Sequence, residues 1–202
     1  DLSNHGPFNP LFIHYLVELI IITAMNHVIR PVKRSDLNAI NKIYNREIRE
    51  GTATWHTDEW SLSERLDWFS SHTEGDTEPI FVCVQEDTTE EKVLGFSYLT
   101  NYRGSRGGFR YTRESTVYVD PEYQRKGIGK KLLSHSIEEA RRSGLHVLIA
   151  WIDSSNIGSI LLHESLSFER IGIERETGYK FGEWRSNTEM SLLLDFESHG
   201  KS

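Results

Sequence analysis

One stretch constrains this chain more than any other, because a strand, a basic glycine-spaced loop and a helix start follow one another over residues 117–133. The β-branched and aromatic run Val117–Val119 ends at an Asp-Pro pair, and the loop Gln124–Gly129 then leads into an apolar-periodic segment. The first N–H groups of a helix lack intrahelical partners, and the helix dipole adds about half a positive charge there. Gly127 and Gly129 allow close approach of a ligand to the backbone. The stretch therefore predicts a phosphate-binding site, with a solvated basic connection as the alternative.

Composition narrows the class of protein. The 202 residues are enough for one well-cored domain and few for two, and the charged fraction of 26% is ordinary for a globular protein. The formal net charge of -7 disfavours nucleic acid and anionic membranes, so we expect neither as a partner. The single cysteine, Cys83, lies in an apolar run and is expected to be a buried small hydrophobe. It excludes an internal disulfide and a CxxC metal site, so we expect no metal and a reducing, cytoplasmic setting.

The N-terminal residues differ from the rest of the chain. The segment Leu11–Ile22 is apolar but interrupted by a histidine and a glutamate, and it is shorter than the roughly 18–20 residues of a membrane span. No basic region of the kind found in secretory signals precedes it. We expect residues 1–24 to be an extension outside the core, 25–197 to form the single domain and 198–202 to be a tail. The alternative for the extension is an added helix that packs on the body or on a partner.

Hydrophobic periodicity and glycine breaks predict the element order βααβββαβαββ. Ser35 or Asp36 is expected to cap the first helix, and Ser61 with Glu64 forms a capping box for the second. The segment Leu145–Trp151 is almost continuously apolar, which indicates a central strand. The order predicts an α+β fold, a mixed and mostly antiparallel twisted sheet with helices on both faces.

Four patches of the sequence carry a family resemblance. In chain order they are Arg110–Val119, Gln124–Gly129, Leu162–Glu164 and Gly178–Trp184. The second patch resembles the acetyl-CoA signature of the GCN5-related N-acetyltransferase (GNAT) superfamily, and the four together resemble its phosphinothricin and methionine sulfoximine acetyltransferases. The resemblance covers about Val28 to Leu194. It implies a GNAT fold, an N-acetyltransferase domain over 25–197, and acetyl-CoA as the cofactor with CoA as its product.

The resemblance also implies where the cofactor lies. Loop N–H groups would hold the CoA pyrophosphate, and the strand edge at Val117–Val119 would bind the pantetheine arm like an added strand. One N–H at this edge would stabilise the oxyanion of the reacting carbonyl. The expected cofactor-binding residues are Val117, Tyr118, Val119, Gln124, Arg125, Lys126, Gly127, Ile128, Gly129, Lys130, Asn156 and Ser159.

Glu114 is the expected general base. Side chains alternate along a strand, so Glu114, Thr116 and Tyr118 share one face. An amine is largely ammonium at neutral pH and must lose a proton before it attacks a thioester. A neighbouring carboxylate can take that proton directly or through water. The resemblance places the catalytic glutamate here, and the alternative is a solvated carboxylate at a strand end.

His163 is the second candidate catalytic residue. Asn156, Ser159 and His163 follow helical spacing and line one face of a predicted helix. The resemblance implies an acid/base role for His163, which would either protonate the leaving thiolate or share the base role. The alternative is an ordinary surface or core histidine.

A basic loop supplies the candidate substrate-binding residues, which are Arg106, Phe109, Arg110 and Thr112. A guanidinium fork suits a carboxylate, and the resemblance favours Arg106 for that contact. The alternative is a solvated loop. Trp55 is expected to be a core or interface aromatic, with a place in the ligand pocket as the alternative.

Two residues depart from the family pattern. Arg113 stands where an apolar residue is usual, and it would lower the pKa of Glu114 if it pointed toward the site. Ser167 stands where a helix-ending glycine is usual, which would loosen or redirect that turn.

The sequence thus predicts direct acetyl transfer in a ternary complex to the amino group of a small amino acid or analogue. Phosphinothricin, methionine sulfoximine and methionine sulfone represent this class. The alternatives are a peptide or protein N-terminal acetyltransferase and a non-catalytic acetyl-CoA sensor. Tyr179–Trp184 resembles the part of the family that builds a dimer, so we expect a homodimer.

Overall fold

The computed structural model describes residues 27–73, 78–85, 91–104 and 106–194. The expected extension, residues 1–24, and the expected tail, residues 198–202, lie outside these ranges. The division of the chain into extension, domain and tail therefore stays a prediction.

The described residues form seven strands and four α-helices in the predicted order. The strands are β1 His27–Pro31, β2 Ile80–Gln85, β3 Lys92–Asn101, β4 Thr112–Val119, β5 Val147–Asp153, β6 Glu169–Lys180 and β7 Glu183–Leu193. The helices are α1 Leu37–Glu50, α2 Leu62–Thr73, α3 Ile128–Arg142 and α4 Ile157–Glu164.

The strands form a single sheet in the order β1-β2-β3-β4-β5-β7-β6. Every neighbouring pair is antiparallel except β4 and β5, which are parallel. The prediction of a mixed and mostly antiparallel sheet is confirmed. β5 lies between β4 and β7, so the apolar segment Leu145–Trp151 does lead into and form a central strand.

The parallel ladder between β4 and β5 is short. It runs from the pair Thr112 and Val147 to the pair Glu114 and Ile149 and then stops. Beyond that point β4 remains paired with β3 as far as Val119, whereas β5 remains paired only with β7. The two strands therefore separate after Glu114, and each leaves one backbone edge facing the gap.

Helices cover both faces of the sheet, as predicted. Val82 and Val84 of β2 pack in a core cluster with α1, whereas Phe81 and Cys83 pack in another cluster with α3. Because neighbouring strand residues point to opposite faces, the two helices lie on opposite sides. Cys83 is fully buried, which confirms its expected place in the core.

The N-terminal cap predicted from the sequence is present in α2 but not in α1. The capping box of α2 is present, because the Ser61 N–H donates to the Glu64 carboxylate (2.7 Å) and the Glu64 N–H donates to the Ser61 hydroxyl (3.2 Å). The expected side-chain cap of α1 is wrong. Asp36 instead accepts from the Lys33 N–H (2.6 Å) and from Arg30 (2.7 Å), which pins the preceding turn to β1.

Candidate active site

A cavity of about 370 Å³ opens where β4 and β5 separate. Glu114 lines it from β4, His163 lines it from α4, and the loop 52–56 after α1 closes one side. The structure therefore brings the two candidate catalytic residues to one cavity.

A second cavity of about 450 Å³ runs along the basic loop and shares Ala53, Val117, Tyr118, Asn156 and Ser159 with the first. The two cavities thus form one groove. Most of the expected cofactor-binding residues line its second part: Val117, Tyr118, Val119, Gln124, Arg125, Gly127, Gly129, Lys130, Asn156 and Ser159.

Two of the expected cofactor-binding side chains point elsewhere. Ile128 is buried in the core, with 1% of its surface exposed. Lys126 donates from Nζ to the Glu122 carbonyl (3.1 Å) and lies over the Tyr123 ring. Any contribution of these two residues to a ligand in the groove would come from their backbone.

The backbone of the loop is shaped as an anion cradle requires. Arg125 and Gly127 both have positive φ, 61° and 80°, and Gly127 is the N-cap of α3. The Lys131 N–H donates to the Gly127 carbonyl (3.0 Å) and opens the helical hydrogen-bond series, so the N–H groups of residues 128–130 precede it. A Cβ on Gly129 would lie 3.2 Å from Leu162 Cδ2, so α3 and α4 pack closely here.

Glu114 is half-buried, and its burial raises the pKa of the carboxyl above its usual range. Arg103 acts in the opposite direction, because its backbone N–H donates to the carboxylate and its guanidinium lies near enough to favour the charge. The sequence did not single out Arg103. It reaches Glu114 from the start of the β3–β4 loop, with a φ of 51°, and no local pattern encodes that contact.

Arg113 does not point toward the site. It is 5% exposed, and its Nη1 donates to the Arg110 carbonyl (3.0 Å) and the Thr112 carbonyl (2.8 Å). Alternation along β4 places it on the face opposite Glu114. The condition under which it would lower the pKa of Glu114 is therefore not met, and that pKa is raised instead.

His163 is 2% exposed, with its ring edge-on to Phe168. Its Nδ1 lies 2.8 Å from the Ser159 carbonyl, an acceptor, so Nδ1 carries the proton and Nε2 carries the lone pair in the neutral ring. Nε2 is buried and has no hydrogen-bond partner among the described residues. Burial lowers the pKa of His163, which favours the neutral ring.

The predicted substrate-binding residues lie outside both cavities. Arg110 donates to the Gly107 carbonyl (3.2 Å) and covers the Tyr111 ring, while Phe109 packs edge-on against Tyr102. Arg106 is exposed, and Thr112 starts β4. These four side chains do not line the cavity that contains Glu114, and their role in substrate binding stays a prediction.

The loop 52–56 lines the cavity instead. Sequence reasoning gave a pocket role to Trp55 only as an alternative and gave none to the rest of this loop. Trp55 is part of the lining, and its Nε1 donates to Asn187 Oδ1 (3.1 Å). The Tyr44 hydroxyl hydrogen-bonds to the Thr54 hydroxyl (3.0 Å) and to His56 Nδ1. Burial lowers the pKa of His56, and the nearby cations of Arg65 and Lys180 lower it further.

No helix within the described ranges is long and apolar enough to cross a membrane. The same ranges contain no cluster of three or more His, Cys, Asp or Glu side chains that could hold a metal ion.

Comparison with known proteins identifies the family. The model of the acetyltransferase (GNAT) family matches residues 40–168. This chain belongs to that family. The acetyltransferase is 40% identical to the L-methionine sulfoximine/L-methionine sulfone acetyltransferase of Salmonella typhimurium, over 83% of its own length and 94% of that protein. It is 31% identical to the phosphinothricin N-acetyltransferase of Streptomyces coelicolor, over 77% and 90% of the two chains.

A solved structure agrees with these relatives. The phosphinothricin acetyltransferase of Sinorhizobium meliloti, solved in complex with acetyl-CoA, superposes with a TM-score of 0.80 at 32% identity. The match covers 88% of this acetyltransferase and 93% of that chain. The expected family resemblance, GNAT fold and enzyme class are confirmed.

Proposed function

We propose that this acetyltransferase transfers the acetyl group of acetyl-CoA directly to the amino group of a small amino acid analogue in a ternary complex. Methionine sulfoximine, methionine sulfone and phosphinothricin represent the acceptor class. One observation carries the proposal: Glu114 lies where β4 and β5 separate, in the groove that joins the glycine loop to the cavity. The acceptor class is supported by the names of the relatives.

The groove fits acetyl-CoA by the chemistry of its donors. Backbone N–H groups of residues 128–130, at the start of α3, would bind the pyrophosphate, with Lys130 beside them. The free edge of β4 at Val117–Val119 would bind the amide groups of the pantetheine arm. When bound, the thioester supplies the activated acetyl group.

Glu114 would take the proton from the ammonium group of the acceptor. A carboxyl whose pKa is raised by burial holds a transferred proton better than an exposed one. General-base help of this kind contributes typically about 10²–10⁴-fold to the rate. The cavity lining at Thr116 and Tyr118 lies on the same strand and completes this wall.

His163 fits the base role better than the acid role. Its proton lies on Nδ1 and is committed to the Ser159 carbonyl, so the neutral ring offers only the Nε2 lone pair. A ring with a lowered pKa donates a proton only after it has first accepted one. We therefore assign His163 as a second proton acceptor that assists Glu114.

The acetyltransferase is proposed to be a homodimer in a reducing, cytoplasmic setting. The β6–β7 hairpin carries five large apolar side chains that are each more than half exposed: Ile171, Ile173, Tyr179, Phe181 and Trp184. An exposed apolar patch of this kind marks an association surface. A sedimentation experiment that finds only monomer at micromolar concentration would contradict the dimer.

A thiol-release assay tests the function. The acetyltransferase is incubated with acetyl-CoA and, in turn, amino acids, methionine sulfone, methionine sulfoximine, phosphinothricin and short peptides with free N-termini. We expect acceptor-dependent release of CoA with the sulfone, the sulfoximine or phosphinothricin. Release with peptides alone would favour an N-terminal acetyltransferase. Binding of acetyl-CoA with no release for any amine would favour a non-catalytic sensor.

A further inference from the structure

Lys180 is a buried lysine that is not among the candidate catalytic or ligand-binding residues. It is the last residue of β6 and is 3% exposed. Its Nζ donates to three backbone carbonyls, those of Glu47 (3.1 Å), Gly51 (2.8 Å) and Thr54 (2.9 Å). An ammonium group has three donors, so these contacts use all of them.

The position of Lys180 follows from the hairpin turn. Phe181 and Gly182 connect β6 to β7 with φ of 57° and 79°, the pattern of a two-residue turn whose twist matches the strands. Lys180 therefore pairs with Glu183 at the very end of the hairpin. Its side chain reaches the C-terminal end of α1, where the negative end of the helix dipole stabilises a cation.

No salt bridge among the described residues involves Lys180. Its burial lowers the pKa of the ammonium group, as expected for a cation away from water. Burying a charge is costly unless it is hydrogen-bonded, so the three carbonyl contacts, helped by the nearby carboxylate of Glu47, compensate the burial and fix the geometry of the backbone that they join.

That geometry belongs to the loop 52–56, which lines the acceptor side of the cavity. Lys180 donates hydrogen bonds to the Gly51 carbonyl, just before the loop, and to the Thr54 carbonyl, in the middle of the loop. The hairpin holds the loop at two further points. Asn187 accepts from the Trp55 indole, and the backbone of Gly178 lies so close to the Trp55 ring that a Cβ there would collide with it.

We propose that Lys180 is a positioning residue for the acceptor site: it fixes loop 52–56, and through it Trp55 and His56, in the shape that receives the amine. Lys180 touches no substrate itself and acts through the loop. This role of Lys180 rests on the proposed function only in that the ligand of the cavity is taken to be the acceptor amine. It makes the β6–β7 hairpin part of the active site as well as a surface for association.

The test compares Lys180→Met, which keeps length and loses the charge and donors, with the surface control Lys42→Met on α1. For Lys180→Met we expect the KM for the amine to rise at least fivefold, kcat to fall less than threefold, and the Kd for acetyl-CoA to stay within twofold. Lys180→Arg, which restores a cation and donors, should recover part of the amine KM. Lys42→Met should match the wild type.

A second readout does not depend on turnover. Hydrogen–deuterium exchange of peptides that cover residues 51–57 should be faster in Lys180→Met than in the wild type, with peptides from α3 unchanged. An unchanged amine KM, or unchanged exchange in this loop, overturns the proposal. Absence of wild-type turnover with every amine overturns the proposed function, and the exchange result then decides the role of Lys180.

If Lys180→Met does not fold, a second variant tests the same proposal. Gly178→Ala keeps the ammonium group but pushes the new Cβ against Trp55, so it should disturb the same loop. It should raise the amine KM and speed exchange over residues 51–57 while acetyl-CoA binding is kept. A normal amine KM in Gly178→Ala argues against the hairpin as a support of the acceptor site.

Discussion

Glu114 and Ile149 form the last pair of the parallel ladder between β4 and β5. The carboxylate thus lies at the apex of the gap between the two strands, where the sheet still shields it on one side. This explains why Glu114 is half-buried and why its pKa is raised while it still lines an open cavity. The same end of the ladder frees the β4 edge for a ligand backbone.

The first prediction concerns the base itself. Glu114→Gln keeps the size of the side chain and removes the proton acceptor, so we expect turnover at pH 7.5 to fall at least about tenfold. Acetyl-CoA binding, measured by calorimetry, should be unchanged, because the loop and the β4 edge are intact. Turnover equal to that of the wild type would exclude Glu114 as the base.

The pH dependence tests what surrounds Glu114. The base must be deprotonated, so kcat/KM rises with pH through its pKa, and the raised pKa moves this limb above the usual value of about 4.3. The Arg103 backbone N–H and guanidinium both lower that pKa, and Arg103→Gln removes only the guanidinium, so it should move the limb to higher pH, more so at low salt. Arg113→Met is the matched control, because Arg113 lies on the other face of β4, and the limb should not move. A shift with Arg113→Met alone would contradict this assignment.

A third prediction distinguishes a catalytic role of His163 from a purely structural one. Asn at this position retains an N–H donor for the Ser159 carbonyl but has no counterpart of Nε2. We expect His163→Asn to remain folded and to lose at least about tenfold in turnover, as general-base assistance requires. His163→Ala removes both functions and serves as the comparison. Full activity in His163→Asn would make the residue purely structural.

His163 also makes stability depend on pH. Burial lowers its pKa below the usual value of about 6.5, so the unfolded chain binds this proton at a higher pH than the folded chain does. The contribution is fully present above about pH 6.5 and is lost as the pH falls through and below that value. Urea unfolding at pH 7.5 and 5.5 should show a smaller loss of stability for His163→Asn than for the wild type. Equal losses would place the pH dependence on other groups.

The turn after α4 gives a stability prediction. Ser167 has a φ of 68°, the left-handed conformation in which a side chain is strained. Ser167→Gly should therefore raise the free energy of unfolding by about 0.5–1 kcal/mol, after the extra entropy of glycine in the unfolded chain is counted. Ser165→Gly is the control, since its φ of -64° suits any residue, and it should destabilise. Urea unfolding measures both.

Much of the fold could be predicted because its signals are local. The capping box of Ser61 and Glu64 and the apolar strand after Leu145 depend on residues a few positions apart. The cap of α1 could not be predicted in the same way. Asp36 bonds to Arg30 on β1, and Arg30 also pairs with Glu91, which is 61 positions away. Such a contact depends on strand pairing rather than on helix chemistry.

The candidate site likewise has a part that local sequence signals predict and a part that depends on long-range contacts. The Glu114 strand, the glycine loop and the start of α3 are contiguous, so the sequence pattern and the family resemblance found them together. The loop at Trp55 lines the cavity and is hydrogen-bonded to the β6–β7 hairpin, in which Lys180 lies 126 positions from Thr54. Neither composition nor spacing encodes that contact. The positive charge of the Arg106 loop led to the prediction that it binds substrate, yet the loop lies outside both cavities.

Cys83, the only cysteine of the sequence, is sealed between the sheet and α3, and burial raises the pKa of its thiol. A protonated and inaccessible sulfhydryl does not attack disulfide reagents. A chromogenic disulfide dye present throughout a reaction would therefore report only the thiol set free from the thioester. The native enzyme would add no colour of its own and would not be inactivated during the measurement, so initial rates could be read continuously from a single cuvette.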